Sequence, residues 1–395
     1  MQLPGSLGHL TYCLNIHPTQ TFSEVKAALT GPAAAVKAAV SPDAPFAIGL
    51  RFSGEALTEL ADPAKRAELK DILDDTGLRG ITVNGFPYGR FHGTRVKEEV
   101  YQPDWRSDTR VQYTNDLADL MAELVPAGEF VSLSTVPGTF KPLGAGAEAL
   151  MAENYLQSVA HLVRVRDRTG VTVALAIEPE PFCFLETIAE TVDFFRDYLF
   201  SRTAISRLAD LTGMTHAQAG KALPRHLGLC YDVCHAAVEY EDPAGSIAAL
   251  RQAGIQVHKL QLSAALRIET VGPEQRAALA AFQEPTYLHQ VIRCTADGLQ
   301  STVDLPEALA LGAATDGEEW RVHFHVPVFM DDLGAFSSTR DFLVDILSLH
   351  RENPISPHLE IETYTWDVLP PGLRGTTVDQ DISREIKWVL DRVTG

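Results

Sequence analysis

No stretch of the 395-residue chain approaches the roughly 20 consecutive apolar residues that span a bilayer, so direct membrane insertion is not expected. Basic residues are scarce beside acidic ones: 33 Lys and Arg face 52 Asp and Glu, a formal charge of −19. A surface of that sign repels phosphate backbones and anionic lipid, which removes nucleic acid from the expected partners. Cysteine is rare as well. The five thiols (Cys13, Cys183, Cys230, Cys234, Cys294) are odd in number and form no CxxC pair. Neither a disulfide framework nor a cysteine zinc cage is expected. Residues Met1 to Gly8 lack the basic and apolar regions of a signal peptide, so the expected compartment is a reducing cytoplasm. Four chemical signatures are missing too: GxGxxG after a strand, a Walker A loop, a GxSxG nucleophile elbow and HExxH.

What is present is alternation. Strand-like runs occur at His9–His17, Ala47–Phe52, Gly80–Asn84, Phe130–Val136, Val171–Glu178, Leu227–Val233, Val257–Ser263, Val322–Val328 and Leu359–Thr363. Helix-period segments separate them, among them Leu117, Leu120, Met121 and Leu124, and Leu156, Val159, Leu162 and Val163. A last helix is expected near Ile382–Val393, capped by Asp381 or Ser383. Strand and helix in turn indicate an α/β domain with a parallel sheet.

The faces of the strands decide which one. Leu175 and Ile177 oppose Ala174, Ala176 and Glu178; Leu229, Tyr231 and Val233 oppose Gly228, Cys230 and Asp232. Leu359 and Ile361 oppose Glu360 and Glu362, and Val322, Phe324 and Val326 oppose His323 and His325. An open sheet covered by helices on both sides needs two apolar faces, whereas here the second face is small early and polar late. That pattern predicts a (β/α)8 TIM barrel, residues 1–395 as one domain, with its site at the C-terminal strand ends. Nine strand candidates exceed eight, and the alternation breaks down from Leu266 to Val328. Insertions are therefore expected near 201–225 and 266–321.

The strand ends carry the chemistry. Carboxylates gathered in a barrel mouth repel one another unless a cation neutralises them, so Glu178, Asp232, His325 and Glu362 are the expected ligands of a divalent metal. Mixed carboxylate and imidazole donors suit Mn, Zn, Fe or Co better than Ca. His235, three residues after Asp232, is placed against a substrate oxygen. The glycine- and aromatic-rich stretch from Asn84 to Trp105 follows a strand directly and suits a loop closing over a ligand, although a packed Ω-loop explains it equally. Asn84, His92, Lys97 and Tyr101 there, with Lys141 and Gln261, are the candidate substrate contacts.

Ile-Glu178-Pro-Glu-Pro, Asp232-Val-Cys-His235 and Leu-Glu-Ile-Glu362-Thr resemble the metal-site pattern of the xylose-isomerase-like TIM-barrel superfamily. Longer stretches resemble the EboE family of metabolite-traffic proteins: Gly8 to Pro18, Val83-Asn-Gly-Phe-Pro-Tyr-Gly, Phe91 to Glu98, Val100-Tyr-Gln-Pro-Asp-Trp105, Ser134 to Pro142 and Lys259 to Leu266. The resemblance implies one divalent metal held by Glu178, Asp232, Glu362 and a histidine, with His235 on the substrate. The superfamily supplies its metal histidine from the seventh strand, where this chain has Gln261; His325 or Gln261 completes the set.

Three functions follow. The first is an isomerase or epimerase of a sugar or cyclitol, phosphorylated or not, working through a metal-stabilised enediolate with Glu178 and Glu362 moving the proton. The second is a metal-dependent hydrolase or lyase of the endonuclease IV-like type. The third is a non-catalytic metabolite carrier. A homo-oligomer or pathway partner proteins remain open on all three.

Overall fold

The strand runs are buried on both sides, and the covering helices supply the reason for the sequence pattern outside the barrel. Leu117, Leu120 and Met121 on helix Asp108–Leu124 and Leu156, Val159 and Leu162 on helix Glu148–Thr169 are all buried against strand faces. Each such side chain removed from water contributes about 1.5–3 kcal/mol. The computed structural model describes every residue except Thr376.

The first seven strands are β1 (His9–Tyr12), β2 (Phe46–Arg51), β3 (Leu78–Asn84), β4 (Phe130–Thr135), β5 (Thr172–Ile177), β6 (Leu227–Asp232) and β7 (Val257–Leu262). An antiparallel sheet follows, built from β8 (Ala264–Ile268), β9 (Val291–Thr295), β10 (Gly298–Thr302), β11 (Glu319–Val326) and β12 (Ser337–Ser338). The chain then returns to the barrel as β13 (His358–Ile361). The parallel sheet has eight strands in the order β1-β13-β7-β6-β5-β4-β3-β2. A parallel bridge between Cys13 and Gly49 joins β1 to β2 and closes the ring. This is the (β/α)8 barrel that the strand faces require.

The surplus ninth strand belongs to the second sheet. That sheet runs from Ala264 to Ser338, so the insertion is wider than 266–321 and is a folded layer, not an irregular excursion. Only Ser263 separates β7 from β8, so the chain runs from the barrel wall straight into the inserted sheet. β11 comes back antiparallel to β8, with Val326 opposite Ala264 at the rim and an irregular register from Val322 to Val326. A bulge of that kind re-aims side chains, and here the bulged residues include His323 and His325. The insertion at 201–225 is a helix pair, Arg202–Thr212 and His216–His226, with Thr215 closing a capping box.

Of the boundaries that shift, two move candidate polar side chains. β1 stops at Tyr12 and the chain tightens into a 3-10 turn, Leu14–Ile16, which keeps Asn15 facing the barrel but sends His17 outward onto the Tyr12 hydroxyl, 3.2 Å away. The final helix starts four residues earlier than the apolar periodicity suggests, at Val378 (Val378–Thr394). Asp381 therefore lies inside its first turn and accepts from the Gly375 N–H rather than capping the helix.

Inside the barrel the polar face is layered. Lowest, the Ser132 hydroxyl lies between Thr82 (2.7 Å) and His358 (2.8 Å). Above it, Lys259 Nζ pairs with Glu360 Oε1 at 2.6 Å, both fully enclosed. Gly49 makes room for that carboxylate: a methyl group there would fall 1.6 Å from Glu360 Oε2.

Candidate metal centre at the barrel mouth

The uppermost layer is where the strand ends converge. Glu178 follows β5, Asp232 ends β6, Glu362 follows β13, and one oxygen of each lies within 4.8 Å of the others in a buried group. Gln261 on β7 stands beneath them and donates through Nε2 to Glu178 Oε1 at 3.0 Å and to Glu362 Oε2. Glu362 Oε1 also accepts from Asn15 at 2.5 Å and from Asn84 at 2.8 Å. Asp232 has two jobs. Its Oδ1 caps helix Val233–Val238 by accepting from the Cys234 and His235 N–H groups and takes a third bond from Ser263 at 2.9 Å. Its Oδ2, like Glu178 Oε2, is buried without a hydrogen-bond partner.

Electrostatics mark this layer as incomplete. Burial first, and then the charges of Glu362 and Asp232, push the Glu178 carboxyl far above its usual range. Burial and Asp232 raise Glu362 to about 8. Two orphaned carboxylate oxygens on one side of three crowded acids form a donor set that fits a hard or borderline divalent ion.

Beside the carboxylates lies a knot of imidazoles. His325 Nε2 stands 4.0 Å from Asp232 Oδ2, and His235 Nε2 stands 3.9 Å from the same atom. His325 thus groups with Asp232 and His235, whereas the carboxylate group is Glu178, Asp232 and Glu362. The four predicted ligands adjoin one another through Asp232 rather than forming one compact set. Burial lowers His325 to about 4 and depresses His323 further, so both rings are neutral at physiological pH.

Above the cluster is a small, half-open cavity. Its polar side is Glu178, Glu180, Glu362 and the three histidines; its other side is apolar and aromatic, including Phe86, Phe91, Val100, Leu288 and Tyr364. The glycine-rich loop after β3 does line this cavity. Two buried arginines hold it by its carbonyls: Arg51 binds Pro87 O and Gly89 O, and Arg110 binds Pro103 O, Gly85 O and Phe86 O.

The predicted substrate contacts divide. Asn84 and Tyr101 line the cavity, Asn84 bound to Glu362 and Tyr101 donating to Glu180 at 2.8 Å. Lys97 lines it too, but its ammonium is 2.6 Å from Asp304. His92 is a brace, bonded to Asn15 O at 2.5 Å and Tyr287 OH at 3.0 Å. Lys141 is spent on Glu186 and Glu190, away from the cavity lining. Gln261 supports the carboxylates from below. Sequence reasoning did not select Glu180, Asn15, Gln290 or Ser263 as site residues; Glu180, Asn15 and Ser263 carried a signal, the inward strand phase, and Gln290 carried none.

No model of a protein family matches the chain, and no curated protein matches it. Solved structures do. The chain is similar to a D-tagatose 3-epimerase-like protein at 12% identity and a TM-score of 0.50, covering 98% of each chain. It is also similar to a zinc-bound IolI protein (11% identity, TM-score 0.46, 98% of each chain). A third is the probable 3-DHS dehydratase AsbF of Bacillus anthracis (13% identity, TM-score 0.44, 96% of this chain and 97% of that one). At such identities the likeness shows the fold alone, a TIM barrel. Among the described residues no helix is long and apolar enough to cross a membrane.

Proposed function

We propose that the chain is a metal-dependent isomerase or epimerase of a small polyhydroxylated molecule, a sugar or cyclitol, that carries no phosphate. One observation carries this reading: Glu178 and Glu362 face one cavity from separate strands, each held by Gln261, with Glu178 Oε2 and the adjacent Asp232 Oδ2 buried and unpartnered. A divalent ion bound there would polarise a carbonyl and the neighbouring hydroxyl, acidifying the hydrogen on the carbon between them.

The chain's own residues supply the rest. Glu178, which lines the cavity and is steadied by Gln261, takes that hydrogen as a proton. Glu362, on the other side, returns one, to the opposite face for epimerisation or to the next carbon for isomerisation. Asn15 and Asn84 hold the Glu362 carboxylate in place. His235 presents an imidazole to a substrate oxygen. The loop from Phe86 to Tyr101 and the segment around Tyr287 and Leu288 exclude bulk water.

Phosphate is left out on charge grounds. Among the described residues lining the cavity Lys97 is the sole Lys or Arg, and Asp304 neutralises it. An apolar wall also suits a deoxygenated or alkyl-bearing face of the substrate. The hydrolase and lyase alternatives, which turn on an anionic ester, lose support for the same reason. The resemblance to the EboE family adds a setting in metabolite biosynthesis or traffic, and the carrier alternative keeps the same ligand class without turnover.

Solvent-exchange NMR provides the test. The metal-loaded protein is incubated in D2O with a panel of ketoses, aldoses and inosose-type cyclitols, and deuterium is sought at the carbon beside the carbonyl. Wash-in by the wild-type protein should fall by about 10³-fold or more in Glu178→Gln and in Glu362→Gln, with the fold retained. Undiminished exchange in both variants would sink the assignment, and binding without exchange would favour a carrier.

A further inference from the structure

We infer that Glu385, on the final helix and outside the cavity lining, is a positioning residue that clasps the ends of β13 and β11 and so sets where Glu362 and His325 stand at the mouth. The inference rests on the carboxylate centre proposed above and adds to it a residue that touches neither ion nor substrate.

The final helix buries an apolar stripe of Ile382, Ile386, Val389 and Val393. Glu385 lies in that stripe and is fully enclosed. A carboxyl in such a place costs stability that an apolar side chain would not, unless it is hydrogen-bonded. Its bonds go to two places at once. Glu385 Oε1 accepts from the Thr363 hydroxyl at 2.6 Å and from the Val328 N–H at 3.1 Å. Oε2 is buried without a partner. Burial pushes the carboxyl up to about 8, so at neutral pH the acid form prevails, close in shape and charge to an amide.

Both anchor points lie where the sheets no longer fix the chain. β13 ends at Ile361, paired with Leu262, so Glu362 stands one residue beyond the ladder. Its N–H still reaches Leu262 O at 3.1 Å. The next residue, Thr363, leaves the strand at φ −100° and ψ 69° and opens a 3-10 turn. With the backbone turning away, the Thr363 side chain is what holds the chain just past Glu362. β11 ends at Val326, and Val328 lies two residues beyond it.

Two further bonds tie these ends to each other. His325 Nδ1 donates to the Glu362 carbonyl at 2.6 Å, and the Thr365 hydroxyl donates to the His325 carbonyl. Glu385 spans both ends from outside through one oxygen, so the return of the inserted sheet and the last barrel strand share a single fastening. Outer partners of this kind orient the groups that meet a metal, and their loss commonly costs about 10–100-fold in affinity. Asp232 needs no such clasp, since it lies within β6 and caps its own helix.

Mn²⁺ titration read by electron paramagnetic resonance tests the clasp, at a temperature well below the melting transition of every variant. Glu385→Leu, and independently Thr363→Val, should weaken Mn²⁺ binding by about 10-fold. Glu385→Gln and Thr363→Ser keep the hydrogen bond and should stay within about 3-fold of wild type. Combining Glu385→Leu with Thr363→Val should weaken binding no further than the worse single variant, because both cut the same bond. Val389→Ala, one turn along the helix, opens a gap in the same packing without touching the clasp. It should lower the melting temperature and leave Mn²⁺ affinity unchanged. Affinity that falls in Glu362→Gln but not in Glu385→Leu or Thr363→Val would overturn the inference and leave the carboxylate centre intact. Equal losses in Glu385→Leu, Glu385→Gln and Val389→Ala would reduce the helix to a packing element and overturn it as well. Wild-type protein that binds no Mn²⁺, or whose affinity Glu362→Gln does not change, would sink the centre and the clasp together. Should Glu385→Leu fail to fold, Thr363→Val carries the same test from the other end of the bond.

Discussion

The interior of this barrel poses the same problem twice, at neighbouring heights, and solves it in two ways. In the middle layer, Glu360 meets Lys259 at 2.6 Å, and burial of the acid is balanced within the chain. One layer up on the same strand, Glu362 meets only amides, Asn15, Asn84 and Gln261, and two further acids stand beside it. Amides donate hydrogen bonds but bring no net charge. Both glutamates sit on the inward face of β13 and its extension, two residues apart, so strand phase cannot account for the contrast. The difference is the counter-charge. Where the protein supplies its own cation the layer is balanced within the chain; where it withholds one, the proposed function places a cation from outside.

The most disruptive way to break this comparison is to remove the internal cation. Lys259→Met leaves Glu360 buried and uncompensated, and should lower stability by about 3–5 kcal/mol in urea unfolding. Adding Glu360→Gln to the same chain should recover much of the loss, because the buried charge goes with its partner. A cost below about 1 kcal/mol for the single variant would show that the middle layer does not depend on the pair.

A smaller effect sharpens the comparison from the mouth. With no ion beside it, burial and the charge of Asp232 push the Glu362 carboxyl from its usual 4.5 up to about 8. A carboxyl with a raised folded pKa favours the folded state fully below its unfolded value, and that advantage is lost as pH rises through the folded one. The chelated protein should therefore melt roughly 5 °C or more lower at pH 8.5 than at pH 5. Saturating Mn²⁺ or Zn²⁺ should remove most of that slope, since the ion favours the ionised carboxylates. Identical slopes with and without metal would count against a cation at this layer.

The barrel and the three carboxylates were legible because both follow from period-2 alternation. Glu178, Asp232 and Glu362 each end an apolar strand in the inward phase, and the phase survives into the structure. His325 shared that phase, but its neighbours did not follow from it. The sequence grouped it with Glu178, Asp232 and Glu362, and the bulge in β11 leaves it beside Asp232 and His235, apart from the two glutamates. No one-dimensional pattern registers a bulge two strands away from the partner strand. Asn15 was readable as an inward residue, yet its bond to Glu362 spans 347 positions and depends on the 3-10 turn after β1. Gln290 had no signal, since it lies in an irregular segment whose position is set by the inserted sheet. The partners of the charged candidates were illegible for a related reason: an isolated lysine in a sequence looks free, and its partner is visible only in space.

Lys97 shows this most clearly and offers the smallest expected effect. It stands at the cavity rim, where a cation would be expected to grip an anionic substrate, but Asp304 of the inserted sheet's connecting segment takes its charge, 207 positions away. The backbone agrees with a fastening role: the Val96 and Lys97 N–H groups both donate to Thr286 O, at 2.8 and 2.9 Å, tying the loop after β3 to the insertion. Side chains of this pair retain 11% and 13% of their exposure, so solvent moderates the interaction and its loss should cost about 1 kcal/mol or less. Lys97→Met should accordingly leave the affinity for a neutral polyol ligand within a few-fold, with Asp304→Asn behaving alike. The two variants ought to match because each removes the same tether. If Lys97→Met instead abolished binding of an anionic ligand while Asp304→Asn strengthened it, the lysine would be a substrate anchor held in reserve, and the rim would join the mouth as a layer awaiting an outside charge of the opposite sign.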